Sequence, residues 1–254
     1  MWIDAHCHLN DEQFADDLAD VIARAQTAGV RAIITAGTDV ASSRASVALA
    51  ERFAIVYAVV GIHPQYADTW NAETYAAIRD LALQHKVVGI GEIGLDFYWA
   101  NNPPRAVQEK IFIAQLDLAA ELGKPVVIHN RNADDALMEI LRRCKGKPGG
   151  ILHCFAGDLA MAHQAIELGF YISFAGNVTF KNAAALQTIA AALPLDRMTL
   201  ETDAPYLSPV RGQRNEPMNV ARIGKKIAEL KQSDQSSIAN TTTQNSARLF
   251  GLAK

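Results

Sequence analysis

The chain has 254 residues, half of them hydrophobic and a fifth charged, with a formal net charge of −3. That length suits one large α/β barrel as well as two small domains, and the slightly acidic balance excludes binding of nucleic acid through a global basic field. No apolar run approaches the ~20 residues of a membrane span, and three dispersed cysteines, Cys7, Cys144 and Cys154, with no C-x-x-C, exclude a disulfide framework.

Reduced, buried thiols in a cytoplasmic protein are the expectation, and no basic segment followed by an apolar core opens the chain as a secretory signal would. Trp2-Ile3 leads into Asp4-Ala5-His6-Cys7-His8, the end of a first strand. Strand alternation would put Asp4, His6 and His8 on one face. Asp11 to Ala28 then carries a 3-4-3 apolar pattern and stops at Gly29, as a helix does. Further strand-like runs follow at Arg31–Gly37, Ala54–Pro64, Val87–Asp96, Pro125–His129, Gly150–Phe155, Phe170–Gly176 and Met198–Asp203. Helical spacers lie between them at Ala41–Phe53, Ala72–Gln84, Arg105–Leu122, Asp134–Cys144, Asp158–Leu168 and Asn182–Leu193. Two more, about Met218–Lys231 and Ser236–Phe250, close the chain. Near-continuous apolar runs alternating with helices imply buried parallel strands with crossover helices. Eight such units fit a (β/α)8 TIM barrel. An open doubly wound sheet would want a Gly-rich loop after the first strand, where this chain has histidines. No linker divides the sequence, so residues 1–254 read as one domain.

In such a barrel every strand C-terminus opens onto one face, where the site is built. His6 and His8, His63, Glu92 and Asp96, His129, His153, and Asp203 all fall at or near strand ends. Only His85 and His163 fall in helices, as surface residues. Each has an ordinary alternative: His129 and His153 as hydrogen-bonded core histidines, His63 as a turn cap, Asp203 as a cap after the eighth strand. Glu92, inside Ile90-Gly-Glu-Ile-Gly94, is harder to dismiss, because a buried carboxylate without a partner is costly and a cation is the natural partner. Four histidines and two carboxylates exceed one tetrahedral ion with an open position. They suit two ions about 3.5–4 Å apart. Glu92 would bridge them, with His6, His8 and Asp203 on one and His129 and His153 on the other. Asp203, at the rim, would also orient the attacking water and take its proton. The ligand mixture does not choose among Mg, Mn and Zn.

The motifs Asp4-Ala-His-Cys-His-Leu9, Gly61-Ile-His-Pro64, Gly89-Ile-Gly-Glu-Ile-Gly-Leu-Asp-Phe-Tyr98, Pro125-Val-Val-Ile-His129 with Arg131, His153-Cys-Phe-Ala-Gly157 and Glu201-Thr-Asp-Ala-Pro-Tyr-Leu207 resemble, in order and spacing, those of the TatD family of metal-dependent deoxyribonucleases. That family belongs to the amidohydrolase-like superfamily. The resemblance implies a TIM barrel, a divalent-metal hydrolase and phosphodiester substrates. It maps metal-ligand roles onto His6, His8, Glu92, His129, His153 and Asp203, and suggests His63 as a substrate-phosphate contact. Asn130 and Ala156 stand where the family often has serine, which bears on substrate preference more than on metal binding.

Around the expected cavity, Phe97, Tyr98, Trp99 and Tyr206 would either stack on bases or wall the pocket. Arg131, Arg211 and Arg214 are candidate phosphate clamps, with solvated surface arginine the ordinary reading of Arg214. The expectation is a monomeric enzyme with two divalent ions and no obligate protein partner. It would cleave DNA, or RNA, exonucleolytically from single-stranded ends, through a metal-activated hydroxide. The alternative is hydrolysis of a small ester, amide or phosphate compound on the same barrel. A non-catalytic barrel would lack a ligand, and all six are present.

Overall fold

The computed structural model describes residues 1–144 and 149–252. Eight parallel strands are hydrogen-bonded in chain order: β1 Trp2–Cys7, β2 Val30–Ala36, β3 Val56–Val60, β4 Val87–Asp96, β5 Val126–Arg131, β6 Gly150–Leu152, β7 Tyr171–Phe174 and β8 Met198–Leu200. Between them run α1 Leu18–Thr27, α2 Val40–Arg52, α3 Ala72–Ala82, α4 Arg105–Leu122, α5 Asp134–Arg143, α6 Leu159–Glu167 and α7 Ala184–Ala192, followed by α8 Val220–Lys231 and α9 Gln235–Phe250. This is the (β/α)8 barrel that the alternation of runs implies.

Two apolar layers hold it. One lies between strands and outer helices and includes Phe14, Ile33, Ile93, Phe112, Leu137 and Ile223. The other gathers Ile3, Ala5, Ile34, Val59, Val127 and Ile151 with Phe250 and Leu252, at and beyond the end of α9. Close strand packing rests on small residues. A Cβ on Gly94, whose φ is 142°, would stand 2.0 Å from the His129 carbonyl oxygen, so β4 meets β5 there only as glycine.

No ladder joins β8 to β1 among the described residues. Individual bonds close that seam: Asp203 N–H to the His6 carbonyl (3.0 Å), His8 N–H to the Ala204 carbonyl (2.7 Å), and Thr202 N–H and Oγ1 to the Asp4 carboxylate (2.8 and 2.6 Å). Asp4 therefore does not share a role with His6 and His8. A register shift between Asp4 and Cys7 breaks the strict alternation expected of β1.

Other expectations need correction. The helix expected from Asp11 to Ala28 is split into a 3-10 turn, Glu12–Phe14, and α1. The carboxylate of Asp17, at the break, is held by Arg24 and Arg214. His85 lies in the turn before β4 rather than in a helix, and is exposed, as is His163 on α6. Strands β6 and β8 are three residues long, so His153 and Asp203 lie just past strand ends. No helix among the described residues is long and apolar enough to cross a membrane. The three cysteines are unpaired.

Candidate metal centre

The strand ends bring all six expected ligand residues together. His6 Nε2, His8 Nε2, Glu92 Oε2 and Asp203 Oδ1 form a compact set. His6 Nε2 is 3.2 Å from His8 Nε2, 3.5 Å from Glu92 Oε2 and 3.7 Å from Asp203 Oδ1, and His8 Nε2 is 3.5 Å from each carboxylate oxygen. Donors about 2.0–2.2 Å from one tetrahedral ion are separated from each other by about 3.3–3.6 Å. The His6, His8 and Asp203 donors thus fit a divalent ion between them, with Glu92 Oε2 3.5 Å from both histidine nitrogens. His6 Nδ1 is buried with no hydrogen-bond partner, so the polar surroundings of this fully buried ring lie on its Nε2 side.

The second oxygen of Glu92 faces a second set. Oε1 lies 2.8 Å from His129 Nδ1, 2.9 Å from His153 Nε2 and 3.5 Å from His63 Nε2, and the His129 and His153 nitrogens are 3.4 Å apart. Burial acts against charge on Glu92, yet the surrounding imidazoles, His153 and His63 foremost, hold its carboxyl well below the usual range. Burial likewise opposes protonation of His153, but Glu92 and Glu201 override it and raise its pKa well above normal. His8 and His129 are raised despite burial, by Asp203 and by Asp96 with Glu92 respectively. His6 and His63 are lowered by burial and by neighbouring imidazoles.

His63 differs from the other histidines. Its Nδ1 accepts a hydrogen bond from Gln65 N–H (3.2 Å) at the start of the 3-10 turn Pro64–Thr69, so it does cap a turn. A neutral ring accepting at Nδ1 carries its proton on Nε2. His63 therefore presents a donor to the cavity rather than a lone pair.

A ring of residues outside the donor sets fixes them. Glu201, fully buried, accepts from Ser173 Oγ (2.5 Å), Cys154 N–H (2.6 Å) and His153 Nδ1 (3.2 Å), leaving His153 Nε2 to face Glu92. The left-handed backbone of Cys154, with φ 44°, follows directly after His153 and aims its N–H at that carboxylate. Asp96 Oδ2 lies 3.2 Å from His129 Nε2 and orients that ring in the same way. Two buried glutamines, seven residues apart on α4, clamp the backbone beneath. Gln115 accepts from Ile62 N–H (2.7 Å) and donates to its carbonyl (2.9 Å), next to His63; Gln108 does the same to Asp96 (2.8 and 2.9 Å). Sequence reasoning missed Glu201 and both glutamines. The signal available was polar residues inside apolar stretches.

The donor sets open into a cavity of about 940 Å³ whose walls include Asp11, His63, Tyr66, Trp99, Arg131 and Tyr206. Of the candidate clamps only Arg131 lines it. Arg214 is bound to Asp17 (2.8 and 2.9 Å) and Glu216 (3.1 Å), and Arg211 is exposed away from the cavity wall. Phe97 packs into the core under Arg105, so it is not a cavity aromatic.

Comparison with known proteins places the chain in a family. The model of the family described as "TatD related DNase" matches residues 3–251. The chain belongs to the TatD family. Among TatD-type relatives it is 40% identical over 253 residues to an uncharacterized metal-dependent hydrolase, YabD, of Bacillus subtilis (strain 168), covering 98% of this chain and 99% of that one. It is 37% identical over 258 residues to a protein of Shigella flexneri serotype 5b named 3'-5' ssDNA/RNA exonuclease TatD, covering 98% of this chain and 99% of that one. The crystal structure of YJJV, a TatD homolog from Escherichia coli K12, superposes with a TM-score of 0.93 at 32% identity, over 99% of this chain and 98% of that one. This TatD-family chain is a metal-dependent hydrolase with residue groups able to hold metal: His6, His8 and Asp203; and His6, Glu92 and His153.

Proposed function

We propose that the chain hydrolyses phosphodiester bonds at single-stranded ends of DNA or RNA, in the 3'-5' direction for which the Shigella relative is named. Two divalent ions would be held by His6, His8 and Asp203 on one side and His129 and His153 on the other, with Glu92 shared. The observation that carries this reading is the division of Glu92: Oε2 faces one donor set and Oε1 the other. When bound, the ions supply Lewis acidity at a phosphoryl oxygen and lower the pKa of water.

The chain's own residues do the rest. Asp203 sits at the rim, about one-seventh exposed, where it orients the attacking water and accepts its proton. His63, proton on Nε2, donates to a non-bridging phosphate oxygen. Arg131 pairs with a phosphate; no hydrogen bond or ion pair to another side chain occupies its guanidinium among the described residues. The cavity walls carry four carboxylates, Asp11, Glu92, Asp96 and Asp203, against one guanidinium. With the imidazoles neutral, as ligation requires, these groups sum to −3, and two divalent ions would turn that into one net positive charge facing the phosphate. Substrate binding and metal binding are therefore coupled.

The test is an assay on labelled single- and double-stranded DNA and RNA beside a generic phosphodiester and a carboxylic ester. Stripping with chelator should abolish cleavage, and returning divalent ion should restore it. Turnover that survives scrupulous metal removal would overturn the mechanism. Cleavage of the generic substrates with no preference for oligonucleotides would replace the nuclease reading by small-molecule hydrolysis.

A further inference from the structure

Six large apolar side chains are exposed among the described residues, and four are Tyr66, Tyr98, Trp99 and Tyr206, each 42–50% exposed. They come from three separate loops, after β3, β4 and β8. Tyr66, Trp99 and Tyr206 line the cavity itself. On one wall the Arg131 guanidinium lies 4.0 Å over the Tyr98 ring and 5.2 Å from that of Trp99, and the two rings meet edge to face at 4.8 Å. Aromatic surface is normally withdrawn from water, so its concentration at this mouth points to a ligand that covers it. The guanidinium marks the ligand as flat and anionic. Arg24, Arg79 and Arg214 all pair with carboxylates, whereas Arg131 is held by stacking alone among the described side chains. A stacked guanidinium keeps a fixed plane and leaves its N–H edge for an oxyanion.

We propose that Tyr98, Trp99 and Arg131 form a nucleotide subsite, in which Trp99 takes the face of an unpaired nucleobase while Arg131 pairs with its phosphate. This rests on the phosphodiesterase reading and deepens it. Every base has a π-face, so the subsite tolerates any sequence, and a base stacked within a duplex cannot use it. Selection of single strands would then come from the loop after β4 rather than from the donor sets.

The test uses the metal-loaded full chain and calorimetry with deoxyadenosine monophosphate against deoxyribose 5-phosphate, which lacks the base. The nucleotide should bind roughly 5- to 150-fold more tightly. Trp99→Ala should bring its affinity to near that of the sugar phosphate, and Trp99→Phe should restore most of the gain; melting temperatures show whether each variant is folded. Equal affinity of the two probes for the wild-type chain, or an undiminished base-dependent gain in Trp99→Ala, would overturn the subsite. If bis(p-nitrophenyl) phosphate is hydrolysed and the base adds nothing, the subsite falls while the hydrolase stands. If the base adds affinity and no oligonucleotide is cleaved, the subsite stands and the nuclease reading falls.

Discussion

Replacing Glu201 by glutamine removes one negative charge from beneath the metal centre and leaves the shape of the side chain in place. The glutamine oxygen can keep both bonds made by Oε1, from Cys154 N–H (2.6 Å) and His153 Nδ1–H (3.2 Å). Its amide can donate to Ser173 Oγ, now at 2.5 Å from Oε2, because a hydroxyl accepts as readily as it donates. The hydrogen-bond count survives, and the carboxylate that would make His153 Nε2 a stronger ligand under the proposed metal binding does not. Loss of such a partner costs about 10–100-fold in metal affinity or activity, about 1.4–2.8 kcal/mol. Thermal stability of the metal-free protein should fall by only about 1–2 kcal/mol, as a charge-assisted bond to His153 becomes a neutral one. Glu201→Leu is the contrasting variant. It strands three donors, two of them on fully buried or nearly buried residues, at about 1–3 kcal/mol each, and should destabilise the fold outright. Metal affinity is read by competition with a chromophoric chelator, activity by turnover of a labelled oligonucleotide, and stability by melting. Wild-type metal affinity and turnover in folded Glu201→Gln would refute the claim that this charge tunes His153.

Glu92→Gln should cut kcat by on the order of 10²–10³-fold or more and lower the metal bound per chain relative to wild type, measured by elemental analysis; full activity would contradict the proposed shared role. Gln115→Leu strips both backbone groups of Ile62 of their buried partners. It should cost about 2–6 kcal/mol in melting experiments and reduce kcat/KM through the displaced His63. Asp17 supplies a pH test. Hydrogen bonds from Arg214, then Arg24, hold its carboxyl down at about 2, below the ordinary value near ~3.9. A depressed acid stabilises fully above the unfolded value, and that contribution is lost as pH falls through the folded one. The melting-temperature gap between wild type and Asp17→Asn should therefore be widest above about pH 4 and close towards pH 2; a gap independent of pH would show that the pairing contributes nothing.

The barrel, and the meeting of His6, His8, Glu92, His129, His153 and Asp203 at one face, were legible in the order of residues alone. Eight buried apolar runs alternating with amphipathic stretches admit few topologies, and a parallel barrel delivers every strand end to one face. His6, Glu92, His129, His153 and Asp203 could therefore be placed together without knowing a single contact. Tertiary structure decided the partners. Glu201 meets His153 across 48 positions, and Arg214 is taken from the cavity by Asp17 across 197. A register shift between Asp4 and Cys7 separates Asp4 from the histidines, and Asp4 bonds Thr202 and helps close the barrel. Tyr66 reaches the cavity from a loop with no local feature that foretold it. Periodicity encodes which side of an element is withdrawn from water, because burial repeats along the chain. It says nothing about which distant side chain arrives to satisfy a buried charge, which depends on the three-dimensional path that the packed strands and helices give the chain.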